Sequence, residues 1–221
     1  MQRKEVKTKE LFNCQNQLLI QLFECNEYPW EILAKIKEFI KDFIANPDPS
    51  FTEIAKGVFV QNNVKIHPTA TIEAPVIICE GSEIRPCAYL RGNVIVGKNC
   101  VIGNSTELKE CILLDKVQAP HYNYVGNSIL GNFAHMGAGS ICSNLKAGGG
   151  NVVIHSDKNY ETNMRKVGAF LGDHSDIGCG CVLNPGTIIG QNTSVYPLTM
   201  VRGVVPKNMI VKSMENIIER E

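Results

Sequence analysis

Three side chains in this chain have types and spacing suited to chemistry: Arg91, Lys109 and His121. Arg91 and Lys109 are eighteen residues apart, and each directly follows a leucine, Leu90 and Leu108. If the chain returns on itself every eighteen residues, the two cations stack about 5 Å apart and repel by roughly 1 kcal/mol in water. A bound phosphate turns that repulsion into a clamp through charge-assisted hydrogen bonds. The competing arrangement is a solvated face on which Glu107, and Glu73 one coil earlier in the same column, neutralise the pair. His121 stands in "QAPHYNYVG", residues 118–126. An exposed imidazole there can act as a general base near neutral pH, or can simply be solvated. The eighteen-residue count sets it above Gly103 and Arg85.

The element that must position these groups is a repeat. Aliphatic residues fall at Ile66, Ile72, Ile78, Ile84, Leu90, Val96, Ile102, Leu108 and Leu114, every sixth position. Four residues after each comes a side chain that is usually small, from Ala70, Val76 and Ser82 to Thr106, with Ile112 and Gln118 the last two. Neither a helix nor simple alternation has a period of six, and an internal repeat outranks local propensity. The count halts after Pro120, so that the "HYNY" stretch is expected to bulge out. It resumes shifted at Tyr124, Leu130, Met136 and Cys142, and again after an irregular stretch from Leu171 to Val201. This is the hexapeptide repeat: three sides of six residues close one triangular coil. The fold class is therefore mainly β, a left-handed parallel β-helix. Glycines such as Gly97, Gly103, Gly126, Gly137, Gly178 and Gly190 are expected to help turn its corners.

Residues 1–55 read as an N-terminal helical segment, 56–208 as the β-helix and 209–221 as a short helix or tail. Pro29 suits a first helical turn, and Trp30, Leu33, Ile36, Phe39/Ile40 and Phe43/Ile44 recur at helical spacing until "NPDPS" at 46–50. Leu11, Phe12, Leu18, Leu19, Leu22 and Phe23 suggest a preceding helix, and the pair is expected to pack its apolar stripe on the rest or on a neighbouring subunit. Lysine plus arginine equal aspartate plus glutamate at 22 each, which argues against nucleic acid or an anionic membrane as partner. The start of the chain lacks a signal-peptide core, and no apolar run reaches the roughly 18 residues of a membrane span. Nine cysteines without a secretory signal read as free thiols in a reducing, cytoplasmic setting.

Residues 90–146, from "LRGNVIVGKNC" through "HMGAGSICSNLK", resemble the acetyltransferase domain of the bacterial bifunctional enzyme that makes UDP-N-acetylglucosamine. The resemblance implies an acetyl-CoA-dependent N-acyltransferase acting on an amino-sugar phosphate or a nucleotide amino sugar. It implies His121 as catalytic base, Arg91 and Lys109 as phosphate ligands, Tyr124, His135 and Asn144 as acceptor contacts, and Ala138 and Cys179 at the cofactor. It further implies a homotrimer with sites between prisms. The chain departs from the family in four places. No Gly-rich nucleotide loop appears in residues 1–60, so pyrophosphorylase activity is not expected. His135 replaces an asparagine, and Cys179 stands at a cofactor-contact position. Residues 147–170 are an insertion containing Lys158, Arg165 and Lys166.

Two rival readings have their own chemistry. A zinc site like that of the carbonic anhydrases of this fold needs three histidines, and His67, His121, His135, His155 and His174 show no closely spaced ligand pair. A non-catalytic sugar-nucleotide sensor would keep the anion clamp without turnover.

Overall fold

The computed structural model describes residues 5–220; residues 1–4 and 221, at the outer edges of the terminal segments read from the sequence, lie outside the described residues. Three sheets of nine, nine and seven strands run the length of a triangular prism, as expected for a parallel β-helix. Sheet 1 contains Val76–Ile78, Val94–Val96, Cys111–Leu113, Ile129–Leu130, Ala169–Leu171 and Thr187–Ile189. Sheet 2 contains Val101–Asn104, Gln118–His121, His135–Met136 and Asp176–Ile177, and sheet 3 contains Tyr89–Arg91, Glu107–Lys109, Tyr124–Gly126 and Ile141–Cys142. A large inward residue on each side, with smaller ones beside it, fills the prism, including Ile84, Leu90, Val96, Ile102, Leu108, Leu130, Met136 and Cys142. Each such burial contributes about 1.5–3 kcal/mol for a large aliphatic. Burial pushes the Cys100 and Cys142 thiols up to about 12, so these cysteines act as small hydrophobes.

The phase of the repeat shifts elsewhere than the sequence count suggests. Leu113, not Leu114, stacks on Val96, so the coil loses one residue between Leu108 and Leu113. It loses another between Val125 and Leu130, because Val125, not Tyr124, is the inward residue on Leu108. Cys111 and Val117 accordingly take the small inward slots assigned to Ile112 and Gln118. Inward residues stay six apart across the corners from sheet 1 to 2 and from 2 to 3, as in Leu113, Ala119 and Val125. Every change in spacing falls at the corner from sheet 3 to sheet 1.

The corners themselves are turned mostly by non-glycine residues at positive φ, among them Asn93, Asn99, Ser105, Glu110, Lys116, Tyr122 and Asn127. The glycines named from the sequence play another part. A Cβ on Gly97 would meet the Leu114 carbonyl carbon at 2.6 Å, and one on Gly137 the Cys179 nitrogen at 2.6 Å. They let the next coil approach closely.

The N-terminal segment covers the outer face of sheet 1. Helix α3, Pro29–Ala45, has its proline in the first turn and buries Trp30, Ile32, Leu33, Ile36, Ile40 and Phe43. They join Ile77, Ile95, Ile112, Ile129, Phe170 and Ile188, which point outward from sheet 1, in a second apolar cluster. With both faces covered, sheet 1 reads as continuous apolar runs. The preceding helix is two short ones, α1 (Thr8–Leu11) and α2 (Ile20–Glu24), because the chain between them straps the corner from sheet 1 to sheet 2. Asp173 accepts from the Asn13 amide at 2.8 Å, and Asn16 donates to Asp115 at 2.8 Å. Residues 209–219, read as a short helix or tail, instead form an antiparallel hairpin of Met209–Ser213 and Asn216–Glu219 that closes sheet 2.

Candidate functional site

Alternation about the inward residues Leu90, Leu108 and Val125 turns their neighbours out of sheet 3. One outward column runs Tyr89, Glu107, Tyr124, Ile141; beside it run Arg91, Lys109, Gly126. Arg91 and Lys109 therefore occupy adjacent coils, as the eighteen-residue spacing requires. They are not bare cations. Arg91 Nη1 pairs with Glu107 Oε1 at 2.6 Å, and Lys109 Nζ lies 4.0 Å from Glu110 Oε1. Glu73 points to the Tyr89 hydroxyl, which donates to it at 2.5 Å. An anion arriving here competes with Glu107 for the guanidinium.

Above Lys109, Gly126 leaves a gap that other side chains use. A Cβ there would meet the Tyr124 hydroxyl at 2.6 Å and Asn144 Nδ2 at 2.7 Å. Asn144 donates to the Tyr124 hydroxyl at 3.3 Å and to Asn127 Oδ1 at 2.7 Å, and Asn127 donates to Glu110 at 2.6 Å. Partial burial first, and the Glu107 carboxylate second, push the Tyr124 phenol above its ordinary range. It stays protonated and can donate a hydrogen bond. Asn127 and Glu110 were not singled out in the sequence. Both are corner residues at positive φ, a conformation Asn tolerates well.

His121 ends a regular strand, not a bulge. Gln118–His121 pairs in parallel with Val101–Asn104, setting Ala119 on Ile102 and His121 on Asn104, in place of the Gly103 and Arg85 reached by counting eighteens. Tyr122, at φ 53°, turns the corner from sheet 2 to sheet 3 and is 65% exposed. Asn123 is buried in the inward slot, where its Nδ2 donates to the Gly137 carbonyl at 2.8 Å and its Oδ1 accepts from the His121 amide at 3.1 Å. The corner is thus braced from inside while the imidazole is exposed, with no side-chain partner among the described residues. Gly139 N–H donates to the His121 carbonyl, Gly180 N–H to that of Ala138, and Leu198 N–H to that of Cys179. His121, Ala138 and Cys179 therefore stand in line on three successive coils.

His135 is set apart. It lies on the sheet 2 face, over Gln118 and beside Asp176, with Nδ1 2.8 Å from Asp176 Oδ1. Asp176 was not singled out because the 147–170 insertion hides its eighteen-residue partner. The structure thus brings Arg91, Lys109, Tyr124 and Asn144 together on sheet 3 and lines up His121, Ala138 and Cys179 on the adjoining corner. Among the described residues no three His, Cys, Asp or Glu side chains converge as metal ligands, and no helix is long and apolar enough to cross a membrane.

Residues 72–164 match the family model described as the GMPPB C-terminal domain. A protein of Methanococcus aeolicus named bifunctional protein GlmU is 30% identical over 185 residues, covering 76% of this chain and 45% of that protein. A bifunctional sugar-1-phosphate nucleotidylyltransferase/acetyltransferase of Sulfurisphaera tokodaii is 32% identical over 163 residues, covering 65% and 41%. The chain spans about half the length of the curated relatives it matches. The resemblance read from residues 90–146 extends to these proteins over most of the chain. Among solved structures, AntD, an N-acyltransferase of Bacillus cereus in complex with dTDP and coenzyme A, aligns at 19% identity and a TM-score of 0.40, covering 78% of this chain and 90% of that one. That superposition is too loose for comparing sites.

Proposed function

We propose that this chain is an acetyl-CoA-dependent N-acyltransferase whose acceptor is the amine of an amino-sugar phosphate or a nucleotide amino sugar. The observation that carries the reading is the sheet 2–3 corner. An exposed, unpartnered His121 heads the line through Ala138 and Cys179, one corner residue and a buried asparagine away from Tyr124. Kinship to bifunctional GlmU proteins supports the reaction class. In the proposed step His121 takes a proton from the acceptor amine as its nitrogen attacks the thioester carbonyl, and the coenzyme A thiol departs. Positioning supplies much of the rate. Arg91 and Lys109 hold the acceptor's phosphate, displacing Glu107, while Tyr124 and Asn144 orient the sugar. His135, held by Asp176, selects among acceptors from the neighbouring face of a second prism.

The proposal includes a homotrimer with shared sites, and the division into 1–55, 56–208 and 209–221 with activity in the central part. All nine cysteines are free, which fits a reducing compartment and a cytoplasmic enzyme. The test is thiol release from acetyl-CoA across a panel of amino-sugar phosphates and nucleotide amino sugars. Release with one of them is expected. Tight binding of a nucleotide sugar with no thiol released by any acceptor would make the protein a sensor instead.

A further inference from the structure

The 147–170 insertion is anchored, and it builds a pocket. The chain leaves the prism after Asn144 and returns at Val167, whose amide donates to the Asn144 carbonyl at 3.1 Å. Between them, Val153–His155 and Asn159–Glu161 form an antiparallel hairpin. Strand alternation divides its residues: Val152 and Ile154 are fully buried in the cluster under α3, so Val153 and His155 face the other way. The first strand rests on two glycines of successive corners, Gly186 and Gly203, both at positive φ. A Cβ on Gly186 would lie 2.9 Å from Val152, and one on Gly203 3.3 Å from the His155 carbonyl oxygen. A side chain at either position would be strained by its backbone and crowded by its neighbour, and the hairpin is seated.

Under the hairpin lies a pocket of about 400 Å³ whose lining includes Lys146, His155 and Arg202, with Ser143 and Asn184 on its floor. No Asp or Glu is among its lining residues. In a chain of zero formal net charge, that is a local excess of positive charge brought from three separate segments. Lys146 spends one donor on the Asn151 carbonyl at 3.1 Å, leaving two. His155 Nδ1 is fixed by Asn159 Oδ1 at 2.9 Å, which orients the ring. The Arg202 guanidinium has no partner among the described residues. Cationic donors, hydroxyl and amide groups around a small cavity are the chemistry of a phosphate ligand.

We propose that this pocket binds the phosphate or diphosphate group of a small molecule, at a site separate from Arg91 and Lys109. Lys109 and Arg202 share the outward column of sheet 3, four coil steps apart, about 19 Å at the usual strand spacing. One source of the phosphate is the nucleotide end of the acyl donor; the other is a free phosphorylated compound.

The test is calorimetric titration of the full chain with inorganic pyrophosphate. Lys146→Ala and Arg202→Ala should each weaken binding about 10- to 100-fold, the weight of a charge-assisted hydrogen bond, and reduce its salt dependence. Arg202→Lys keeps the charge and should lose less, and in an Arg91→Ala background, which silences the proposed acceptor clamp, Lys146→Ala and Arg202→Ala should still weaken pyrophosphate binding. Coenzyme A that competes with pyrophosphate, and weakens when its 3′-phosphate is removed, assigns the group to the acyl donor. Simultaneous binding of both assigns it to a separate compound. No binding by the parent chain at millimolar pyrophosphate overturns the proposal, as does a loss that follows Arg91→Ala and spares the Arg202 variants.

Discussion

At the scale of single residues, His121 and Gly126 make opposite demands. His121→Ala removes an exposed ring with no partner, so folding should be unaffected. Turnover on the best acceptor should fall roughly 10²–10⁴-fold while sugar-ligand affinity persists through Arg91, Lys109 and Tyr124. Steady-state rates beside ligand titration check this, and full-speed turnover by the variant would remove His121 from the chemistry. Gly126→Ala touches no charged group, yet its methyl would stand where the Tyr124 hydroxyl and Asn144 meet. Both are ends of movable side chains, so the melting temperature should barely change while acceptor affinity drops about tenfold, as expected for loss of about one hydrogen bond. Arg91 and Lys109 were legible in the sequence because the coil between Leu90 and Leu108 keeps its full eighteen residues. Tyr124 was placed one position off because one residue is dropped between Leu108 and Leu113 and another between Val125 and Leu130. The pairing of Arg91 with Glu107 was open, since spacing alone does not choose between Glu73 and Glu107.

At the scale of elements, a fixed internal period made the prism readable from sequence, whereas the segment Phe12–Leu19 was not. Its apolar residues Leu18 and Leu19 fit a helical pattern, yet Asn13 and Asn16 spend their hydrogen bonds on the corner of the prism. Asp173 is the centre of that strap, accepting from Asn13 N–H at 2.8 Å and from Asn132 N–H at 2.7 Å. Burial raises its pKa, and the donors oppose that rise. Asp173→Asn puts an amide NH₂ against one of those N–H donors or leaves it unmet, which should cost about 1–3 kcal/mol. Urea denaturation reads the difference. An unchanged midpoint would mean that the strap contributes nothing to stability. The insertion was legible as an insertion, but its hairpin was not, because its strand pattern answers to the helix packed over it.

At the scale of the whole molecule, α3 covers the outside of sheet 1 and the insertion lies along the corner from sheet 3 to sheet 1, leaving sheet 2 and the remainder of sheet 3 open to another prism. Exposed apolar side chains gather there: Tyr122, Ile141, Tyr196, Leu198 at 85% exposure and Met200. A patch of this kind marks an interaction surface. Light scattering should give three chains per particle, and Leu198→Asp should yield monomers with little activity on any acceptor. Leu198 sits at φ 61°, a conformation Asp tolerates better than Leu, so the variant chain should still fold. A parent protein that is monomeric at micromolar concentration would remove shared sites from the proposal.

The uneven corner has a consequence for what the chain can accommodate. The joins from sheet 1 to 2 and from 2 to 3 hold their six-residue spacing from coil to coil, since one carries the asparagine strap and the other the His121 line. The third join has absorbed two single deletions, a loss of two residues between Val201 and Val205, and the whole 147–170 excursion while strand pairing continues on either side. Length variation is thus confined to one seam, as in a spiral-bound book whose pages can be added along a single edge. New binding segments grafted at the turns around Asn93 or Glu110 would hang from that seam and leave both the fold and the proposed catalytic corner in register.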